Sequence, residues 1–173
     1  MTKVGFISLG CSKNLVDTEV MLRTLYDAGF EITPDETEAE IIVINTCGFI
    51  ESAKQESIEN ILDAAKLKEW GKCRHIVVTG CLAQRAADEL SLPGVRLIIG
   101  TQRRGEVVEL LCQALESDCT LIAVETLRQA PFEHLTVHAH EGHTRATMKI
   151  QEGCDRWCAY CIIPAVRGPV RSM

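Results

Sequence analysis

Four short apolar runs, each closed by a turn and followed by a helix-like stretch, leave this chain few folds to adopt. Val4–Leu9 ends at Gly10-Cys11, Ile41–Ile44 at Asn45-Thr46-Cys47-Gly48, His75–Thr79 at Gly80-Cys81, and Val95–Ile99 at Gly100-Thr101. Their hydrophobicity is near-continuous instead of alternating, the pattern of strands buried on both faces in a parallel sheet. Between them apolar residues recur at helical spacing: Leu15, Val16, Val20, Leu22, Leu25 and Tyr26 in the first interval, Ile58, Ile61, Leu62 and Ala65 in the second. A third helix is expected from about Leu82 to Leu90, and a fourth carrying Val107, Val108, Leu110, Leu111 and Leu115. Ser12 stands as N-cap of the first helix and Gly29 as its stop. This alternation specifies the α/β class: an open, mostly parallel sheet with right-handed crossovers and helices on both faces. A weak extended piece at Phe30–Thr33 would add an edge strand, and Leu121–Val124 a late one.

The turns matter as much as the strands. Cys11, Cys47 and Cys81 sit in equivalent places, SLGC, INTC and VTGC, each just past a strand and just before a helix. In a parallel sheet those strand ends share one edge, where ligands bind, so residues 36 and 34 apart in sequence can converge. The helix starts beside them offer free N–H groups that favour thiolates and an anionic cluster. One cysteine at a strand end is usually a small buried hydrophobe. Three in register point to a shared site.

A second group lies near the end of the chain. Cys154, Cys158 and Cys161, spaced C-x3-C-x2-C, follow Gly153 and a strand expected over Ala146–Gln151. Structural zinc and simple electron-carrying iron–sulfur sites usually take four protein ligands, so three thiols leave a coordination position open. The compartment suits metal better than disulfides. The start Met1-Thr2-Lys3-Val4-Gly5 has no signal-peptide pattern and no apolar run approaches the ~18 residues of a membrane span, so the nine cysteines are expected in the reducing cytosol, with no membrane partner. Hydrophobic content of 46% with 24% charged residues is that of a globular chain. The net charge of −6 is uneven: residues 145–173 hold five Lys/Arg against two acids, leaving −9 on the rest. That acidic body argues against general nucleic-acid binding, and the basic tail is too short to form a nucleic-acid face.

Other residues read more plainly. Cys112 falls on the apolar side of the fourth helix and is expected in the core, while Cys73 and Cys119 carry no assignment. Asn14, Asp17 and Glu19 lie near a helix start, where capping and dipole compensation are the common tasks. Asn45 and Thr46 either orient Cys47 or form its turn, and Arg156, Arg167 and Arg171 divide between cofactor or partner contact and solvated surface. His134, His138, His140 and His143 fit no single helix or strand face, so with Pro131 they read as a connector. The expected organisation is a domain over 1–117, a linker over 118–143 and the start of another unit over 144–173.

These blocks carry a resemblance. C-x3-C-x2-C with Tyr160 before the last cysteine is the signature of the radical S-adenosylmethionine superfamily, and the upstream trio resembles the auxiliary-cluster domain of its methylthiotransferases. GCSKNLVDTE at 10–19, NTCGFIESAKQESI at 45–58 and VTGCLAQR at 78–85 look like the branch that modifies an aspartate of a small-subunit ribosomal protein. Ser12 stands where that branch usually has Pro, Ala86 follows Arg85 where it has an aromatic, and Arg96 replaces a common acidic residue. The likeness runs to Met173, where the family continues into a long barrel.

The resemblance implies two [4Fe–4S] clusters, one on Cys154, Cys158 and Cys161, the other on Cys11, Cys47 and Cys81, each with an open iron. S-adenosyl-L-methionine would chelate the first, with Tyr160 near its adenine or packed only against core. An outside electron donor would drive its cleavage to a 5′-deoxyadenosyl radical. A sulfur at the second would accept methyl from another S-adenosylmethionine before transfer to the aspartate β-carbon. Residues 144–173 would supply only the start of the partial barrel, so the reaction belongs to a longer enzyme and this piece is expected to be inactive alone. Two readings of other classes stay open: a tRNA adenosine methylthiotransferase, the one case with a nucleic-acid partner, and a non-catalytic iron–sulfur or zinc module.

Overall fold

The computed structural model describes residues 1–128, 132 and 147–172. The histidine-rich connector, Pro131 and Ala146 lie outside the described residues. Six strands form one parallel sheet: β1 (Lys3–Ser8), β2 (Glu31–Ile32), β3 (Ile41–Thr46), β4 (His75–Gly80), β5 (Val95–Ile99) and β6 (Leu121–Ala123). Their spatial order is β2-β1-β3-β4-β5-β6. Both weak extended pieces are strands, and they are the two edges.

Four helices cover the sheet: α1 (Ser12–Asp27), α2 (Glu51–Trp70), α3 (Cys81–Ala86) and α4 (Val107–Glu116). Alternate residues of the central strands serve opposite layers, as a two-residue period demands. Ile42, Ile44, Ile76, Val78 and Ile98 pack with Ile61, Ala64 and Leu67 of α2 and with Leu82 and Ala83 of α3. Ile41, Val43, Val77, Leu97 and Ile99 pack with Met21 and Leu25 of α1 and with Leu110, Leu111 and Ala114 of α4. That is the expected class, a parallel sheet with helices on both faces. Each central strand is buried on both sides, which explains the unbroken apolar runs.

Some local expectations change. Cys11, not Ser12, is the N-cap residue of α1; it has extended backbone and makes no side-chain capping bond. The helix expected over 82–90 is α3 followed by a 3-10 turn at Ala87–Leu90. Cys112 is exposed on α4, so it is not core. Leu62 and Tyr26 also face outward. The strand foreseen over Ala146–Gln151 is a two-residue piece, β7 (Gln151–Glu152), which pairs antiparallel with β8 (Arg171–Ser172) across a loop and a short helix, α5 (Ile163–Arg167). Among the described residues no helix is long and apolar enough to cross a membrane.

Candidate metal centre

The strand order determines where a ligand can sit. From β1 the chain moves outward to β2, then returns past β1 to β3 and continues the other way. The turns after β1 and β3 therefore part in opposite directions, opening a crevice at the strand ends. Cys11 and Cys47 are on those two turns, and Cys81 follows the neighbouring strand β4.

The backbone brings them close. Gly10 has a φ of +90°, and a Cβ there would lie 2.7 Å from Cys47 Cβ and 2.9 Å from its sulfur. Only glycine lets the first cysteine turn approach the second this tightly. Asn14, almost wholly buried, donates from Nδ2 to the Leu9 carbonyl at 2.8 Å and the Thr46 carbonyl at 3.0 Å, tying the two turns together. Asn45 in turn donates to the Asn14 carbonyl at 2.8 Å and Thr18 Oγ1 at 3.0 Å. Ser57 of α2 accepts from the Cys47 N–H at 3.0 Å and donates to its carbonyl at 2.9 Å. Asn14 and Asn45 thus stitch the site, where the sequence suggested capping for Asn14 and left Asn45 either to orient Cys47 or to form its turn.

Gly80 prepares the third cysteine. At φ +97°, its added Cβ would meet the Thr46 carbonyl at 2.3 Å and Asn45 Oδ1 at 2.5 Å. Gly80→Ala is expected to cost about 2–6 kcal/mol, combining ~1–3 kcal/mol of backbone strain with ~1–3 kcal/mol of overpacking. A urea titration followed by circular dichroism reads it as a lower midpoint; an unchanged midpoint would show that the strand end gives way freely.

Cys81 meets a cation. Arg167 of α5 donates from Nε to the Cys81 sulfur at 3.3 Å, and Cys81 lies 4.0 Å from Asn14 Oδ1. Burial pushes the Cys81 thiol up, while Arg167 opposes that rise and the charges of Cys11 and Cys47 add to it. All three cysteines stand on the turns of one sheet edge. Cys11 is exposed and the other two are half-buried, so the edge is open to a ligand.

Behind Arg167 lies a buried charge network that the sequence did not reveal. Asp17 pairs with Arg104 at 3.0 Å, with Lys149 and with Arg167; Glu152 pairs with Arg104 at 2.7 Å, Lys149 at 2.8 Å and Arg167 at 2.6 Å. Arg171 approaches Glu152 at 3.9 Å. Arg167 and Arg171 are therefore buried, not solvated, and Asp17 serves ion pairing, not the helix dipole. Burial pushes the Glu152 carboxyl up, but Arg104, Arg167 and Lys149 outweigh it and hold it well below the usual range. A spacing rule cannot see this, because the partners come from α1, the turn before α4, β7 and α5.

The network docks the second thiol group against the sheet edge. Thr101 Oγ1 donates to the Val166 carbonyl at 2.7 Å, adding a tie from the turn after β5. Cys154, Cys158 and Cys161 share one loop, with the Cys161 N–H bonded to the Cys158 carbonyl at 3.0 Å and the Cys154 sulfur accepting from the Arg156 N–H at 3.4 Å. Cys154, Trp157, Pro164 and Gly168 line a cleft of about 410 Å³ together with Gln84 and Leu127. Tyr160 is 87% exposed, so it packs against no core, and Trp157 is 77% exposed.

Among the described residues no three His, Cys, Asp or Glu side chains close on a point that one metal ion would occupy. A four-iron cluster asks for something else: three thiolates on three separate irons, gathered around an open edge. Soft thiol donors with a buried cation beside one of them suit such an anionic group.

Comparison with known proteins adds a family. The model of a family described as "Uncharacterized protein family UPF0004" matches residues 3–100. A protein named ribosomal protein uS12 methylthiotransferase RimO from Desulforamulus reducens is 47% identical over 99% of this chain and 39% of its own length. Proteins of the same name from Syntrophotalea carbinolica and Pelotomaculum thermopropionicum are 46% and 47% identical over 98% of this chain and 38% of theirs. The chain thus spans about two-fifths of the length of these relatives.

Proposed function

The chain belongs to the UPF0004 family, and on that premise we propose that it is the cluster-bearing portion of an enzyme that methylthiolates the β-carbon of an aspartate in small-subunit ribosomal protein uS12. The observation that carries the reading is the gathering of Cys11, Cys47 and Cys81 at the switch-point edge, with a second three-thiol loop docked beside it. The names of the relatives supply the substrate. Residues 1–117 together with the edge strand β6 are assigned as the auxiliary-cluster domain, the rest of 118–143 as linker and 144–173 as the opening of a radical-SAM core.

Cys11, Cys47 and Cys81 would hold one [4Fe–4S] cluster, and Cys154, Cys158 and Cys161 another that binds S-adenosyl-L-methionine. Bound together, these groups supply the one-electron cleavage of the sulfonium and the methylthio group that is transferred. The chain's own residues set the stage. Gly10 and Asn14 hold the Cys11 turn against Cys47, Ser57 fixes the Cys47 backbone from both sides, and Arg167 presents a donor to Cys81. Tyr160 is assigned to the cofactor's adenine, for which its exposed ring offers a flat face. The relatives are more than twice as long, so turnover is assigned to the whole cytoplasmic enzyme with its electron donor, and the 173-residue stretch alone is expected to be inactive.

Mass spectrometry of uS12 and of tRNA tests this in a strain lacking the gene and complemented with the full-length form. The methylthio group is expected on the uS12 aspartate with the intact gene and absent with Cys47→Ala. A methylthio group lost from tRNA adenosine instead would establish the nucleic-acid reading. Its loss from neither would leave a non-catalytic metal module.

A further inference from the structure

We propose that Arg167 is a positioning residue for the Cys11–Cys47–Cys81 site, its Nε hydrogen bond to the Cys81 sulfur raising the reduction potential of the cluster held there. The inference rests on the cluster reading above. Arg167 is 97% buried, and all three of its nitrogens are committed. Nε donates to Cys81 Sγ at 3.3 Å, Nη1 to Glu152 at 2.6 Å and to Asp17, and Nη2 to Asn14 Oδ1 at 2.5 Å. Asp17, Glu152 and Asn14 thus fix the guanidinium plane, so that its remaining edge faces the sulfur. A lysine ammonium cannot satisfy all four acceptors from one point.

The hydrogen bond to sulfur gives the direction. Arg104, Lys149, Arg167 and Arg171 lie around Asp17 and Glu152 in a region withdrawn from water. Among the described residues Arg171 Nη1 has no hydrogen-bond partner. A buried cation is favoured by a counter-charge that faces it. Among the thiols, the Cys81 sulfur is the one that takes a hydrogen bond from this network. A four-iron cluster on three thiolates carries net negative charge that grows on reduction. A donor on one of its sulfurs, with cations behind it, therefore favours the reduced form. The same contact makes the site responsive to the second thiol loop, because Arg167 arrives on α5, a few residues past Cys161.

The test isolates one site. The full chain carrying Cys154→Ala, Cys158→Ala and Cys161→Ala is reconstituted anaerobically with ferrous iron and sulfide, and its potential is titrated by visible absorbance and electron paramagnetic resonance. Adding Arg167→Gln is expected to shift the potential lower, and Arg167→Lys, which keeps the charge for Asp17 and Glu152, to shift it part of the way. Arg104→Lys, which disturbs the same two carboxylates, is expected to leave it unchanged. Should Arg167→Gln fail to fold, the Arg167→Lys and Arg104→Lys pair decides the matter. Equal potentials in that pair would overturn the inference, whether both moved or neither did. Absence of iron in the parent would overturn the cluster reading with it, whereas iron present with an Arg167-independent potential overturns this inference alone.

Discussion

Cys47→Ala is expected to remove about half of the iron that the chain takes up on anaerobic reconstitution, and Cys158→Ala the other half. Two four-iron clusters correspond to roughly eight irons per chain, and loss of one thiolate from a three-thiol set leaves too few ligands to keep its cluster. Cys47 is the sharper choice in the first set. Ser57 fixes its backbone and Gly10 abuts its side chain, so the substitution deletes a sulfur without moving the turn. The double variant is expected to bind essentially no iron. Zinc in place of iron, or iron untouched by either substitution, would defeat the two-site assignment.

Asp17→Ala is expected to destabilise the fold by about 3–5 kcal/mol, the range for deleting one partner from a buried ion pair. Three cations would lose their shared carboxylate at once, in a place where water cannot replace it. The loss should concentrate where the network holds residues 149–171 to the sheet edge. Limited proteolysis is then expected to cut that segment early while the six-stranded sheet persists; cleavage at wild-type rates would mean the segment is held by packing alone. Acid should act through Glu152. Its carboxyl is held well below its ordinary value of 4.5, so its contribution is complete above that pH and lost as pH falls below it. Stability is expected to erode more steeply below pH 4.5 in the wild type than in Glu152→Gln.

The sheet was legible because burial on both faces leaves an unbroken apolar signature, and the three cysteines because each closes such a run. What stayed hidden is long-range. Asp17 sits on a helix whose sequence neighbours suggest capping, yet its partners lie at Arg104, Lys149 and Arg167. Nothing local distinguishes an arginine bound for a buried pair from one bound for solvent. Cys112 misled for the opposite reason: its helix is strongly apolar, but at that register the side chain turns outward. Of the stretch before Gly153, Gln151 and Glu152 pair with Ser172 and Arg171, a partner from beyond the cysteine loop that no local pattern announces.

The charge network also orders events in time. Arg167 reaches Asp17 across 150 residues and Asn14 across 153, whereas each sheet strand pairs with a neighbour far closer along the chain. Closing so long a loop costs more entropy than pairing neighbouring strands, so these contacts are expected to form after the sheet. The sheet and its three cysteine turns can therefore be complete before the latch over Cys81 closes. The first site would then be loaded through an open door that the second thiol loop afterwards shuts.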